Sequence, residues 1–160
     1  MSHSPADRVL ECLVLPVGQF DVLLPTVCVV EVVRYQALAR AVGPQACIGL
    51  LGWHDGDVPV VDLGLLTPDG GQSVTHGHAI AILQRTITDS PWPYWAVGLS
   101  GLPRRRRVAA SAIALAGTAS SGCPGSWVRV GADRCLIPDL GWLQREQLPQ
   151  ATWTVFDVGF

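Results

Sequence analysis

The sequence predicts a mainly β protein assembled from small barrels. Short apolar runs recur along the chain, turn residues interrupt them roughly every 6 to 12 positions, and β-branched residues concentrate within the runs. Runs at 9–15 and 20–24 flank Pro16, Val17, Gly18 and Gln19, which reads as a hairpin. Positions 27–33 are nearly all Val, broken by Cys28 and Glu31, and the stiff χ1 of Val favours a strand with room for one helical turn at its start. Residues 35–42 tolerate helix but meet Gly43 and Pro44, so at most two turns fit. Two apolar runs, 48–51 and 58–61, enclose the polar turn His54, Asp55, Gly56 and Asp57, where Asp and Gly accept the backbone angles of a hairpin. A helical turn over 63–66 follows.

Residues 67–77 are rich in Gly, Ser, Thr, Asp and Pro and read as a linker between two halves of similar strand content. Beyond it, 78–86, 94–99 and 106–110 read as strands. The runs 127–130 and 135–138 form a second hairpin about Gly131, Ala132 and Asp133. Leu140 and Leu143, spaced i, i+3, suit a short helix within 139–147.

Composition narrows the function classes. At 160 residues with 49% hydrophobic and 15% charged side chains, the chain buries a core and is not disordered. Net charge is −2, which gives no field for phosphate backbones, so nucleic acid is not an expected partner. The first eight residues are polar and carry no signal-peptide core, and no apolar run approaches a membrane span. The expectation is a cytoplasmic protein without direct membrane insertion. Five cysteines, an odd number with no C-x-x-C pair, fit reduced buried thiols.

Candidate chemistry is sparse. His54 and Asp55 form the dyad seen in metal-dependent phosphohydrolases, but they sit in a hairpin turn with only His3, His76 and His78 as further imidazoles. A metal-dependent hydrolase is therefore the remote alternative. His76 and His78 share the spacing of half a cupin motif, yet no later His completes it. No G-x-S-x-G elbow or phosphate loop occurs, so the sequence assigns no catalytic residue, no metal and no cofactor. Arg104, Arg105, Arg106 and Arg107 lack interleaved aromatics and read as a charged strand edge that blocks aggregation, with contact to an acidic partner as the second reading. Six Trp against three Phe and two Tyr is a skewed set. Trp53, Trp92 and Trp95 lie beside turns as candidate exposed anchors, and Trp127 and Trp142 as plugs for barrel ends.

One pair of motifs carries a resemblance. Val29, Val30, Glu31 and Val32 form V-x-E-V, and about twenty residues later a G-φ-φ-x-[LW]-x-x-G-x-φ-P-V-φ-D-L stretch closes on Pro59, Val60, Val61, Asp62 and Leu63. This pattern, covering 19–66 well and the remainder loosely, resembles the CheW-like domain family. Members are small non-catalytic adaptors that couple bacterial chemoreceptors to a CheA-type histidine kinase. The resemblance implies one domain over 1–160, with two small SH3-like five-stranded β-barrels packed side by side with short helices. The first barrel would span about 9–66 and the second 78–147. It also implies two partners, the regulatory domain of a CheA-type kinase and the cytoplasmic tip of a methyl-accepting chemoreceptor. Carried over residue by residue, the contact set is Val29, Glu31, Gly49, Trp53, His54, Asp55 and Gly56.

The chain departs from the pattern after Trp53, where the family places Arg and then Gly and this sequence has His54 and then Asp55. Arg is a permanently charged fork, whereas His is shorter and titrates near neutrality. The second half also lacks the acidic residue expected near 95–101. These departures are similar to the ChpC-type accessory members of systems that control type IV pilus twitching. An interaction module with another signalling or pilus-motor partner is the alternative.

Overall fold

The computed structural model describes residues 8–40, 43–67, 77–117 and 124–150. Its strands are β1 (Val9–Val17), β2 (Phe20–Pro25), β3 (Val29–Arg34), β4 (Cys47–Trp53), β5 (Gly56–Val61), β6 (Ala79–Gln84), β7 (Tyr94–Leu99), β8 (Arg104–Ala109), β9 (Ile113–Leu115), β10 (Gly125–Val130) and β11 (Asp133–Pro138). One helix, α1 (Leu140–Glu146), follows, capped by the Asp139 carboxylate accepting from the Trp142 amide. Single 3-10 turns lie at Thr26–Cys28, Leu63–Leu66 and Ala110–Ala112. The expected mainly β class with short helices is what the structure has.

The strands form two sheets, ordered β8-β1-β2-β11-β10-β9 and β3-β6-β7-β5-β4. Both orders follow one plan. An antiparallel hairpin, β1–β2 or β6–β7, stands between an outer strand and a second hairpin, β10–β11 or β4–β5. The only parallel pairings in the two orders are β2 with β11 and β5 with β7. The chain thus starts in one sheet, crosses after Pro25 to build all of the other, and returns after Leu99. Sheet membership therefore does not follow the expected division into 9–66 and 78–147: the first two strands share a sheet with the last four. Turn chemistry makes a hairpin visible in sequence. The sheet it joins depends on long-range burial that no local pattern encodes. Of the linker expected at 67–77, residues 68–76 lie outside the described residues.

Three apolar layers hold the sheets. Cys12, Val14, Leu23, Val108, Val128, Val130 and Cys135 fill the first barrel, and Leu51, Val58, Val60, Ile80, Ile82 and Ala96 fill the second. Between them lies a shared layer that includes Leu15, Val17, Val22, Val61, Leu83, Trp95, Leu99, Leu136 and Leu143. Strands β1, β5, β6 and β7 are buried on both faces, which is why they read as continuous apolar runs instead of alternating ones. Residues 59–63 are core, with Val60, Val61 and Leu63 fully enclosed. Trp92 and Trp95, expected to be partly exposed, are buried at 3% and 0%. Their indole N–H groups donate to the Pro149 and Gln84 carbonyls, so neither ring needs water.

Candidate functional site

The open side of the second barrel is where the motif residues meet. Strands β3 and β4 are the two ends of the sheet order, so no ladder joins them. Alternation puts Glu31 on the same side of β3 as Val33, which packs against the barrel interior, and a register shift between Val29 and Glu31 lies just before it. The Glu31 carboxylate accepts a hydrogen bond from the Trp53 indole N–H at 2.8 Å, closing the barrel with a polar clasp. Trp53 then makes edge-on contacts with His54 (centroids 4.3 Å, 78° between planes) and Tyr94 (5.0 Å, 69°). Three rings and a carboxylate thus form a rim, with Asp55, Gly56 and Asp57 exposed around it.

The turn is tighter than the sequence suggests. Trp53 pairs directly with Gly56, leaving only His54 and Asp55 as turn residues. The left-handed backbone falls on His54 (φ 52°), whereas Gly56 was expected to supply that freedom. A two-residue turn needs positive φ at its first central position, and that position is His54. Gly49 has a different role from a surface contact. It is buried where residues 38 and 39 cross β4, and a Cβ there would lie 2.7 Å from the Leu38 Cβ and 2.8 Å from the Ala39 carbonyl oxygen. Val29 packs against the shared core. Its neighbours Val30 and Val32 are the outward ones, at 41% and 37% exposure, with Val27 nearby at 80%.

Alongside Val32 runs a groove of about 530 Å³ whose walls include Arg34, Tyr35, His78 and Leu102. Leu102, 70% exposed, belongs to the crossing between β7 and β8. Sequence reasoning missed Val27, Val30, Val32, Tyr94 and Leu102. The run of valines held the clue, because an outer strand buries one face and leaves alternate residues in water. Tyr94 was overshadowed by Trp92 and Trp95, although alternation at the start of β7 sends Tyr94 outward and Trp95 inward.

The arginine run lies on β8, an end strand of the other sheet, as the strand-edge reading expects. Arg104, Arg106 and Arg107 pair with Asp21 (3.4 Å), Asp133 (2.7 Å) and Glu11 (3.1 Å). Among the described residues no group of three or more His, Cys, Asp and Glu side chains comes together, so His54 and Asp55 gain no further ligand; His3 and His76 lie outside those residues. Four free thiols are described, Cys12, Cys28, Cys47 and Cys135, and burial pushes each above the ordinary thiol range.

No family model matches the chain, and no curated protein matches it. A solved structure does. The scaffolding protein TtCheW from Thermoanaerobacter tengcongensis superposes with a TM-score of 0.69 at 14% identity, over 89% of this chain and 92% of that one. The chain has a CheW-like fold. At that identity the likeness speaks for architecture, and the side chains of the rim and groove are this chain's own. No described helix is long and apolar enough to cross a membrane.

Proposed function

We propose that this chain is a non-catalytic chemosensory adaptor, a single CheW-like domain that works in the cytoplasm. In this reading it couples a methyl-accepting chemoreceptor to the regulatory domain of a CheA-type histidine kinase. The observation that carries the reading is the CheW-like fold with the V-x-E-V strand and the hairpin turn brought to one rim, Glu31 bonded to Trp53. Val27, Val30 and Val32, on and just before the strand that carries Glu31, stay in water, as does Leu102 in the groove alongside Val32, the kind of apolar exposure that marks an interaction surface. Trp53, Glu31, His54, Asp55 and Gly56 form the contact set, and Gly49 and Val29 act through the shape of the strands that carry it. Titration calorimetry of the purified chain against a kinase regulatory domain and a receptor cytoplasmic fragment tests the reading. Heat of binding to either supports it, and none at tens of micromolar sinks it.

His54 and Asp55, standing where the family pattern has Arg and Gly, favour a more specialised placement in a system controlling type IV pili and twitching. They equally motivate a second reading, the same fold serving another signalling or pilus-motor partner. Co-purification from cells separates the two, since recovery of kinase and receptor alone rejects the second.

A further inference from the structure

We infer that the rim of Trp53, His54 and Tyr94 is a subsite for a guanidinium or ammonium group carried by a protein partner. This rests on the reading of the rim as a contact surface and adds the chemistry of what it contacts. The His54 and Tyr94 rings each stand at a steep angle to the Trp53 ring, and aromatic faces carry the negative lobe of the ring quadrupole. Around them lie the carboxylates of Glu31, Asp55 and Asp57, all exposed. The ion pairs found among the described residues involve Asp21, Asp133 and Glu11 on the other sheet, each with an arginine, and none involves these three carboxylates. Among the described residues, the chain supplies cations to carboxylates of one barrel, and no ion pair is made with the carboxylates at the rim of the other.

Glu31 is poised for the role without losing its structural one. The Trp53 N–H uses one position on a carboxylate that offers about four, so a charged donor can join while the indole bond holds the ring in place. An open rim encloses too little of a free small molecule to retain it. The cation therefore arrives on a protein whose remaining contacts fall on the adjacent Val30 and Val32. Arginine suits the site better than lysine, because its planar fork stacks on rings and meets carboxylates through paired donors.

The test is a titration of the ¹⁵N-labelled full chain with acetyl-Ala-Arg-Ala-amide, and with the same peptide carrying citrulline, which keeps the shape and removes the charge. The arginine peptide is expected to move the Trp53 indole N–H resonance and the Tyr94 amide saturably, and the citrulline peptide is expected to leave them in place. Glu31→Gln keeps an acceptor for the indole and should weaken the arginine response by roughly fivefold. Asp57→Asn, at an exposed position away from the clasp, gives the same comparison should Glu31→Gln fail to fold. Equal shifts with the two peptides, or none at Trp53, overturn the subsite. Calorimetric binding of kinase or receptor is read separately, so the subsite can fail while the adaptor reading holds.

Discussion

The two hairpins that close the barrels occupy matching places in their sheets, yet they end differently. In the first barrel, Val130 pairs with Asp133 across Gly131 and Ala132, and the left-handed position is glycine (φ 63°). In the second, Trp53 pairs with Gly56 across His54 and Asp55, and the left-handed position is histidine (φ 52°). Each turn is tied back to an outer strand. Arg106 on β8 donates to Asp133 and to the Val130 carbonyl, whereas Glu31 on β3 accepts from Trp53. The first clasp pairs a cation with an anion and is electrostatically complete. In the second a carboxylate meets a neutral donor, and negative charge is left over. One barrel follows the backbone rule for a tight turn and balances its charges. The other breaks the rule at one residue and leaves a carboxylate available, which is the pattern expected where a surface is kept for contact rather than for stability.

That contrast depends on the barrels being welded through the shared layer, and the largest predicted effect tests the weld. Leu99 is fully buried there, so Leu99→Ala should cost roughly 3–4 kcal/mol and lower the stability of both barrels together. Val60, fully buried in the second barrel alone, should cost about 2 kcal/mol as Val60→Ala. Hydrogen exchange on the two variants checks the difference. Loss of protection confined to one sheet in Leu99→Ala would show that the barrels unfold separately.

Next come the glycines near the start of each closing hairpin. A Cβ on Gly125 would overlap the Ile137 carbonyl and sit 2.6 Å from the Pro138 Cα, and one on Gly49 would lie 2.7 Å from the Leu38 Cβ and 2.8 Å from the Ala39 carbonyl oxygen. Both obstacles include backbone, which cannot swing aside. Gly125→Ala and Gly49→Ala should each cost about 2–3 kcal/mol in chemical denaturation. Gly52→Ala, with open space at its Cβ, should stay within about 1 kcal/mol.

The thiols give a pH-dependent form of the comparison. Cys12 and Cys135 line the first barrel, while the second barrel's interior layer is aliphatic. Burial raises both thiols, so the folded chain holds protons that the unfolded chain releases above the ordinary thiol value near 9.0. Stability from this source is complete below that pH and is lost as pH rises through the folded values. Urea melts from pH 7 to 10 should show a decline that Cys12→Ala reduces.

How much of this was legible in the sequence follows from the range of the interactions involved. Turn chemistry exposed the hairpins β1–β2, β4–β5 and β10–β11 but not β6–β7, whose long connection carries no tight-turn signal, and continuous apolar runs exposed the strands that are buried twice. β9 went unread because Ile113, Ala114 and Leu115 form an Ala-rich stretch with no alternation, and Leu115 is itself 79% exposed. The exchange of hairpins between sheets went unread because both sheets offer apolar edges of the same kind. Within the candidate site, the motif points to Glu31, Trp53 and His54. Their mutual geometry was not legible, since a hydrogen bond spanning 22 residues leaves no local trace.

The smallest predicted effect bears most directly on the turn contrast. His54 is exposed, so removing its ring should change little by burial, and His54→Ala should alter stability by less than about 0.5 kcal/mol. Alanine keeps a Cβ and hence keeps the steric cost of a positive φ. Glycine does not, and it would give this turn the residue that the first barrel already has at Gly131. His54→Gly should therefore be the one variant at the site that gains stability, by a few tenths to about 1 kcal/mol, partly offset by the extra freedom glycine brings to the unfolded chain. The converse change, Gly131→His, should lose a similar amount, with the Arg106 guanidinium 3.6 Å from where the new Cβ would stand. Thermal melts of the reciprocal pair decide the point. A destabilised His54→Gly would mean that the contact between the imidazole and the Trp53 ring is worth more than the backbone strain it accompanies, and that histidine stands in the turn for stability after all.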